Sequence, residues 1–196
     1  MELFVNGSKL DIQLENEKTV GDVLKSFEEQ SSKEGIATVN IIVDGKNITA
    51  DLFDETAKKE LTDSTKIELG VVSKEAIKNS FEQQKAGAKA LSEDLKTISV
   101  KFQSSKDAEA NAIIANLADY IDNICHTASL SMLFPEDFGS IKIDGKTFNE
   151  FFADLSSILP DFEQAIKNKD TVLIGDLAEY EISPRLDQLA ASLENI

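Results

Sequence analysis

The chain has 196 residues, 41% of them hydrophobic, and its 36 Asp and Glu against 20 Lys and Arg give a formal net charge of −16. The hydrophobic fraction excludes a disordered chain, and the length allows one or two domains with real cores. Acidic residues exceed basic ones in both residues 1–72 and residues 73–196, so we expect no nucleic acid and no anionic membrane as partner.

The sequence indicates a cytoplasmic protein. The first residues, Met1 to Gly7, contain no basic region followed by an apolar stretch, so no signal peptide is expected. No segment reaches the roughly 20 apolar residues of a membrane-spanning helix. A single cysteine, Cys125, excludes an intramolecular disulfide.

The chain opens with a predicted β-hairpin. Asn6-Gly7 is typical of a two-residue hairpin turn. Apolar and polar residues alternate on both sides of it, as in strands with one buried face. The alternating apolar residues are Leu3, Val5, Leu10, Ile12 and Leu14.

A helix and two further strands follow in the prediction. Thr19 begins a stretch with an apolar stripe, and Gly35 is well placed to end the helix. Asp44-Gly45 is a second hairpin signal after an alternating run, and a polar stretch then precedes a last strand around Leu69. The order ββαββ predicts a sheet wrapped over one helix.

Residues 1–72 resemble ubiquitin and its relatives, which implies a β-grasp fold. Four short segments carry the resemblance to the first strand, the helix end, the third strand with its turn, and the approach to the last strand: Met1–Val5, Lys33–Ile36, Ile41–Lys46 and Leu61–Thr65.

Two departures from ubiquitin bear on function. Ubiquitin-like modifiers end in a glycine pair used for conjugation, whereas here Gly70 to Ser73 continues into more chain. Of the family's apolar binding patch, Ile42 matches one member, so ubiquitin's usual partners are not expected. We expect a docking domain in which outward-facing Phe4 and Ile42 either form a contact spot or pack against the helical part.

Residues 73–196 predict four helices with short connections. A heptad seam from Ile77 to Phe102, with Gln84 as its one polar member, favours a bundle helix over an intermolecular coiled coil. Pro160 and Pro184 predict kinks or breaks in the last two helices. The expected fold class is therefore α+β: a ubiquitin-like β-grasp domain at 1–72 and an antiparallel four-helix bundle at 73–196. No family resemblance was found for residues 73–196.

The most apolar turn of the helical part runs from Leu130 to Phe138, and it is either buried or a contact site. Its aromatic residues, Phe134 and Phe138, are the candidate contacts. Ile141–Lys146, which is similar to Ile41–Lys46, predicts a short hairpin or an extended entry into the next helix.

No catalytic, cofactor or metal site is predicted. Cys125 and His126 are neighbours on a helix and point about 100° apart, so a nucleophile–base pair is not expected. One His and one Cys are too few for a zinc site. The sequence has no phosphate-binding glycine loop and no nucleophile-elbow motif.

A polar cluster near the C-terminus is the remaining candidate site. It contains the chain's one arginine, Arg185, which is spaced i,i+4 from Glu181 and suits an ion pair. Either Arg185 has a structural role, or it locks the Pro184 kink or binds a carboxylate. The candidate residues are Asp176, Glu179, Tyr180, Glu181 and Arg185.

The sequence favours a non-enzymatic protein–protein interaction module, an adaptor or assembly factor in the cytoplasm. One alternative is a chaperone for an exported or assembling protein, with Phe134, Phe138 and the Phe148–Phe152 cluster lining an apolar groove. The other is an enzyme or small-molecule binder with a site near Arg185. The partner and the oligomeric state are not predicted.

Overall fold

The computed structural model describes residues 1–196 except the side chain of Asn195. The chain forms two compact units, Met1–Ala76 and Ile77–Ile196, called here the N-terminal unit and the helical unit. The first holds a mixed sheet and the second consists mainly of helices, so the fold class is α+β. Among the described residues, no helix combines the length and apolar character needed to cross a bilayer.

The N-terminal unit is built on a five-stranded sheet in the order β2-β1-β5-β3-β4. β1 is antiparallel to β2 and parallel to β5, and β3 is antiparallel to both β4 and β5. The strands are β1 Glu2–Val5, β2 Ser8–Leu10, β3 Ile36–Val43, β4 Lys46–Asn47 and β5 Lys66–Ser73.

Helix α1, Val20–Ser31, packs on one face of this sheet. Thr19 caps it by accepting a hydrogen bond from the Asp22 backbone N–H, and the Asp22 carboxylate accepts one from the Thr19 backbone N–H. Gly35 follows a short 3₁₀ turn with φ of 66°, a left-handed conformation that favours glycine. The core between helix and sheet contains Leu3, Val20, Val23, Leu24, Val43, Ile67 and Leu69.

One detail of the N-terminal prediction is wrong, and one helix is missing from it. The second strand ends at Leu10 and does not extend to Leu14, because Leu10 pairs with Leu3 and little of β1 remains beyond it to pair with. Ile12 and Leu14 are instead 40% and 44% exposed. The polar stretch before the last strand contains a further helix, α2, Ala50–Ala57.

The helical unit contains two long helices and a series of shorter ones. The first, α3, begins at the end of the N-terminal unit. The elements are α3 Lys74–Lys96, α4 Ile98–Gln103, α5 Asp107–Ser131, α6 Pro135–Phe138, α7 Phe148–Ser156, α8 Leu159–Asn168, α9 Thr171–Asp176, a π-helical segment Leu177–Ile182, α10 Ser183–Ser192 and a 3₁₀ turn Leu193–Asn195.

The predicted break at Pro160 is confirmed, whereas the four-helix bundle is not. Pro160 lies in the first turn of α8, and Pro184 lies in the first turn of α10, directly after the π-helical segment. The helix predicted from Ser73 to Phe102 is divided at Thr97 into α3 and α4. The heptad seam is buried on α3 apart from Gln84, whose backbone carbonyl accepts a hydrogen bond from the buried Tyr120 hydroxyl.

A buried pair of hydrogen-bonded serines joins α3 to the start of α10. Ser92 on α3 and Ser183 at the start of α10 are fully buried, and their hydroxyl oxygens lie 2.8 Å apart. The Ser183 hydroxyl also donates to the Ser92 carbonyl at 3.2 Å. Both buried hydroxyls are therefore satisfied, as a packed core requires.

Candidate functional site

Stacked phenylalanine rings organise one end of the helical unit. Phe81 on α3 is fully buried, and its ring centroid lies 5.7 Å from those of both Phe138 and Phe148. Phe148 in turn stacks on Phe152 at 6.1 Å. Phe81 therefore supports the half-buried rings that α7 presents above it.

A cavity of 370 Å³ opens beside these rings, between the C-terminal end of α5, α6 and α7. Cys125 and Met132 line its α5 side, and Phe138, Phe148 and Phe152 line the other. Met132 is 70% exposed, which is unusual for a large apolar side chain beside an aromatic cluster. This end of the unit therefore leaves apolar surface open to solvent.

A second cavity, of 430 Å³, lies between the middle of α5 and α8. Ile114 and Ile121 line it from α5, and Leu159 and Ile166 line it from α8. All four side chains are half-buried. The lining is again mainly apolar, with Asp122 and Glu163 as its charged members.

The two cavities follow each other along the same pair of walls. On α5, Cys125 of the first cavity lies one helical turn after Ile121 of the second. On the opposite wall, Ser156 of the second cavity lies one turn after Phe152 of the first. We call this surface, from Ile114 to Met132 along α5, the α5 groove, and its length is about 27 Å.

Cys125 lies in the wall of the α5 groove and His126 does not line it. Burial, followed by the nearby Asp122 carboxylate, raises the pKa of the Cys125 thiol above its ordinary value. A raised pKa opposes formation of the thiolate, so nothing here activates a nucleophile. His126 is exposed on the next position of the helix.

The two aromatic contact candidates differ in burial. Phe138 is buried at 7% exposure beneath the first cavity. Phe134 is half-buried and packs edge-on against it, with ring centroids 6.5 Å apart. The turn between them and α5 exposes Met132 and Leu133, so this apolar stretch is partly core and partly surface.

Arg185 joins three elements of the helical unit. Its Nε donates to Asp154 Oδ2 on α7 at 3.0 Å, and its Nη1 donates to the carbonyl of Glu181 at 2.7 Å. The predicted ion pair with Glu181 is present at 3.1 Å. Arg185 and then Lys146 hold the pKa of the Asp154 carboxyl below its usual value. Arg185 thus links the π-helical segment to the α7 wall of the groove.

The other members of the polar cluster remain on the surface. Tyr180 is 66% exposed, and the neighbouring Glu179 carboxylate raises the pKa of its hydroxyl. Asp176 is exposed and Glu179 is half-buried. The described residues contain no group of three or more His, Cys, Asp or Glu that could hold a metal ion.

Phe4 and Ile42 lie on one face of the sheet in the N-terminal unit. Both pair in register with Glu68 on β5, so their side chains flank that carboxylate. Lys66 binds Glu68 at 2.9 Å, and its ammonium lies 4.8 Å from the centre of the Phe4 ring. This face is therefore mainly one of paired charges.

A separate apolar cavity of 510 Å³ lies in the N-terminal unit, between α1, β3 and α2. Its lining includes Phe27, Ile41 and the 39%-exposed Phe53. Along α1 it extends from Gly21 to Glu29, about 12 Å. It is less than half as long as the α5 groove.

Comparison with known proteins places the helical unit in a family. Residues 81–192 match the model described as domain of unknown function DUF8042, and this match spans more than half of the chain, which therefore belongs to that family. Residues 1–73 match the TP0873 N-terminal domain. Neither match identifies a ubiquitin-like family, so the ubiquitin resemblance stays a prediction.

One relative spans nearly the whole chain. A protein of Treponema pallidum (strain Nichols), described as an uncharacterized protein, is 26% identical over 190 residues, which are 97% of this chain and 94% of that protein. No solved structure matches the chain. The two halves thus occur together in a second protein of similar length.

Proposed function

We propose that the protein is non-enzymatic and acts in the cytoplasm by binding another protein, as an adaptor or assembly factor. The observation that carries the proposal is the α5 groove, where two apolar cavities follow each other along about 27 Å of helix. Extended apolar surfaces on otherwise well-packed proteins usually mark interaction sites.

The shape of the groove suits a protein segment better than a small molecule. Small-molecule sites enclose most of the ligand and hold it with a few converging polar groups. The α5 groove is long and open, and Asp122 and Glu163 are its charged lining residues. A helix laid in a groove is an established mode of peptide recognition and needs apolar anchors along one line.

We extend the proposal to the two halves of the chain. The N-terminal unit is proposed to be a ubiquitin-like β-grasp docking domain, supported by its ββαββαβ order and by the single sheet packed on α1. The helical unit is proposed to be a four-membered bundle with interrupted helices. Its support is the sequence of four helical runs: α3–α4, α5, α7–α8 and α9–α10.

A chaperone for an exported or assembling protein is the second candidate. The groove favours it because the Phe138, Phe148 and Phe152 rings line apolar space that a client segment would cover. An adaptor keeps its partner, whereas a chaperone releases it when the client assembles. The third alternative, chemistry at Arg185, gains no support because Asp154 and Glu181 already occupy its guanidinium.

Two tryptophan substitutions on one helix test the proposal. Ala118 lies in the groove lining, whereas Ala112 is exposed about 120° further round α5 and lines neither cavity. Tagged wild-type protein, Ala118→Trp and Ala112→Trp are used for affinity capture from a lysate of the source organism, with quantitative mass spectrometry. A partner retained by wild type and Ala112→Trp but lost by Ala118→Trp supports the proposal. Equal recovery by all three proteins, or no partner for any, contradicts it.

A further inference from the structure

We propose that the α5 groove takes an amphipathic α-helix whose apolar stripe is flanked by lysine and arginine. The inference rests on the proposed function and names the class of partner. Three features carry it: the walls are helices, their apolar residues recur at helical spacing, and the surrounding surface is strongly acidic.

Because the walls are helices, the partner must satisfy the hydrogen bonds of its own backbone. The backbone N–H and C=O groups of a helix interior are bonded within the helix, so α5, α7 and α8 offer no strand edge along the groove. An extended segment lying there would lose water from its peptide groups without replacing those hydrogen bonds, at a substantial cost for each group. A helical segment bonds its own peptide groups and avoids that cost.

The spacing of the apolar residues also matches a helix. On α5 and its C-cap residue the groove lining includes Ile114, Ile121, Cys125 and Met132, which are separated by seven, four and seven residues. These intervals are one and two helical turns, so the side chains form a single line. A partner helix of about 18 residues with apolar residues at intervals of three and four would meet this line along its length.

The negative charge of the groove walls favours a basic partner. Residues 107–168, which form both walls, contain eleven Asp and Glu against three Lys. α5 has four acidic residues and no Lys or Arg. Of the two carboxylates in the groove lining, Glu163 is paired with Lys167 at 2.6 Å, whereas Asp122 takes part in none of the ion pairs found among the described residues. An acidic partner would be repelled, and so would a second copy of this chain with its net charge of −16.

Three synthetic peptides test the inference on the full-length protein. The first is a fluorescein-labelled Leu/Lys peptide of about 18 residues with leucine at helical spacing. The second replaces each lysine with glutamate. The third keeps the Leu/Lys composition but alternates the two residues as in a strand. Fluorescence anisotropy measures affinity, and circular dichroism measures helix formation.

We expect the helical lysine peptide to bind at least about tenfold more tightly than either of the others and to gain helix on binding. Ala118→Trp should weaken its binding by about tenfold or more, and Ala112→Trp should leave it unchanged. Replacing Asp122 and Glu163 by their amides should weaken binding several-fold. The matched control, amides at Glu93 and Asp94 on α3, carries the same change in net charge and should have less effect.

Three results would overturn the inference. One is equal binding of the lysine peptide to wild type and Ala118→Trp, which would indicate non-specific attraction to an acidic protein. Another is preference for the glutamate or the alternating peptide. The last is a dimer of the free protein in sedimentation analysis that Ala118→Trp abolishes, because the groove would then hold a second copy.

The two proposals can fail separately. If capture of the natural partner depends on Ala118 but the helical lysine peptide does not bind in the groove, the partner class is wrong and the proposed function stands. If capture is the same for wild type and Ala118→Trp, the proposed function falls, whatever the peptides do.

Discussion

The sheet face of the N-terminal unit and the α5 groove both expose apolar side chains, but the surroundings of those side chains differ. On the sheet, Phe4 and Ile42 flank Glu68, and Lys66 lies against both the carboxylate and the Phe4 ring. In the groove, side chains such as Ile121 and Phe152 face open cavities. Both sets are half-buried.

The difference teaches that partial exposure alone does not identify a contact site. A flat surface on which cations cover aromatic rings gains little from a partner, because those charges must first lose water. A concave apolar surface gains from every group that replaces water in it. The groove therefore carries our functional proposal, while Phe4 and Ile42 stay candidates from the sequence.

The largest expected effect is at the floor of the groove. Phe81→Ala removes a fully buried ring that supports Phe138 and Phe148, and it should destabilise the helical unit by roughly 3–5 kcal/mol. Urea unfolding followed by circular dichroism measures the change. Phe4→Ala, the same change on the sheet face, should cost clearly less because that ring is half-buried. Equal losses would show that the two surfaces do not differ as described.

A smaller effect is expected at Arg185, which links α7 to the π-helical segment. Arg185→Lys cannot donate to both Asp154 and the Glu181 carbonyl with the geometry of a guanidinium, so the melting temperature should fall by a few degrees. Thermal melting by circular dichroism is the measurement. The control is Lys167→Arg, at an exposed ion pair with Glu163. An Arg185→Lys protein as stable as wild type would remove the special role of arginine.

Acid should weaken the ion pair between Arg185 and Asp154. Because Arg185 and Lys146 hold the pKa of Asp154 below 3.8, its ionised form contributes stability that is fully present above that value. The contribution is lost as the pH falls through the lower pKa of the folded protein. Asp154→Asn should therefore lose less stability than wild type as the pH falls below 3.8. Identical pH profiles of melting temperature for the two proteins would contradict the assignment.

The smallest effect is expected on the sheet face. Lys66→Ala removes an exposed ion pair and a cation–π contact, which together should contribute about 1 kcal/mol or less. Its apparent contribution should also shrink as salt is added, because both charges are exposed. Chemical unfolding at low and high salt measures this. A large loss of stability that is independent of salt would contradict the description of this face.

Local signals predicted much of the fold. The turn at Asn6-Gly7, the helix start at Thr19 and the helix end at Gly35 depend on neighbouring residues, and all three lie where the sequence predicted them. The length of β2 depends instead on how much of β1 is available for pairing. No pattern near Ile12 or Leu14 contains that information, so alternation alone extended the strand too far.

The sequence alone identified only some of the residues that form the groove. Ile113 and Ile114 are neighbours in the apolar stripe of the α5 sequence, yet Ile113 is buried and Ile114 lines the groove. Which part of a stripe stays open depends on the distance between helices, which a single sequence does not encode. Likewise, i,i+4 spacing predicted Glu181 as a partner of Arg185 but not Asp154, which is 31 residues away.

The chain's single cysteine allows the most direct test of the groove. Cys125 lies in the wall of the first cavity, one helical turn from Ile121 in the second, so the rate at which a thiol reagent modifies it reports whether the groove is covered. The rate is measured for the free protein and for the complex with its captured partner. Our account predicts that the partner slows modification strongly. A partner that binds and leaves the rate unchanged would show that the groove is not where it binds.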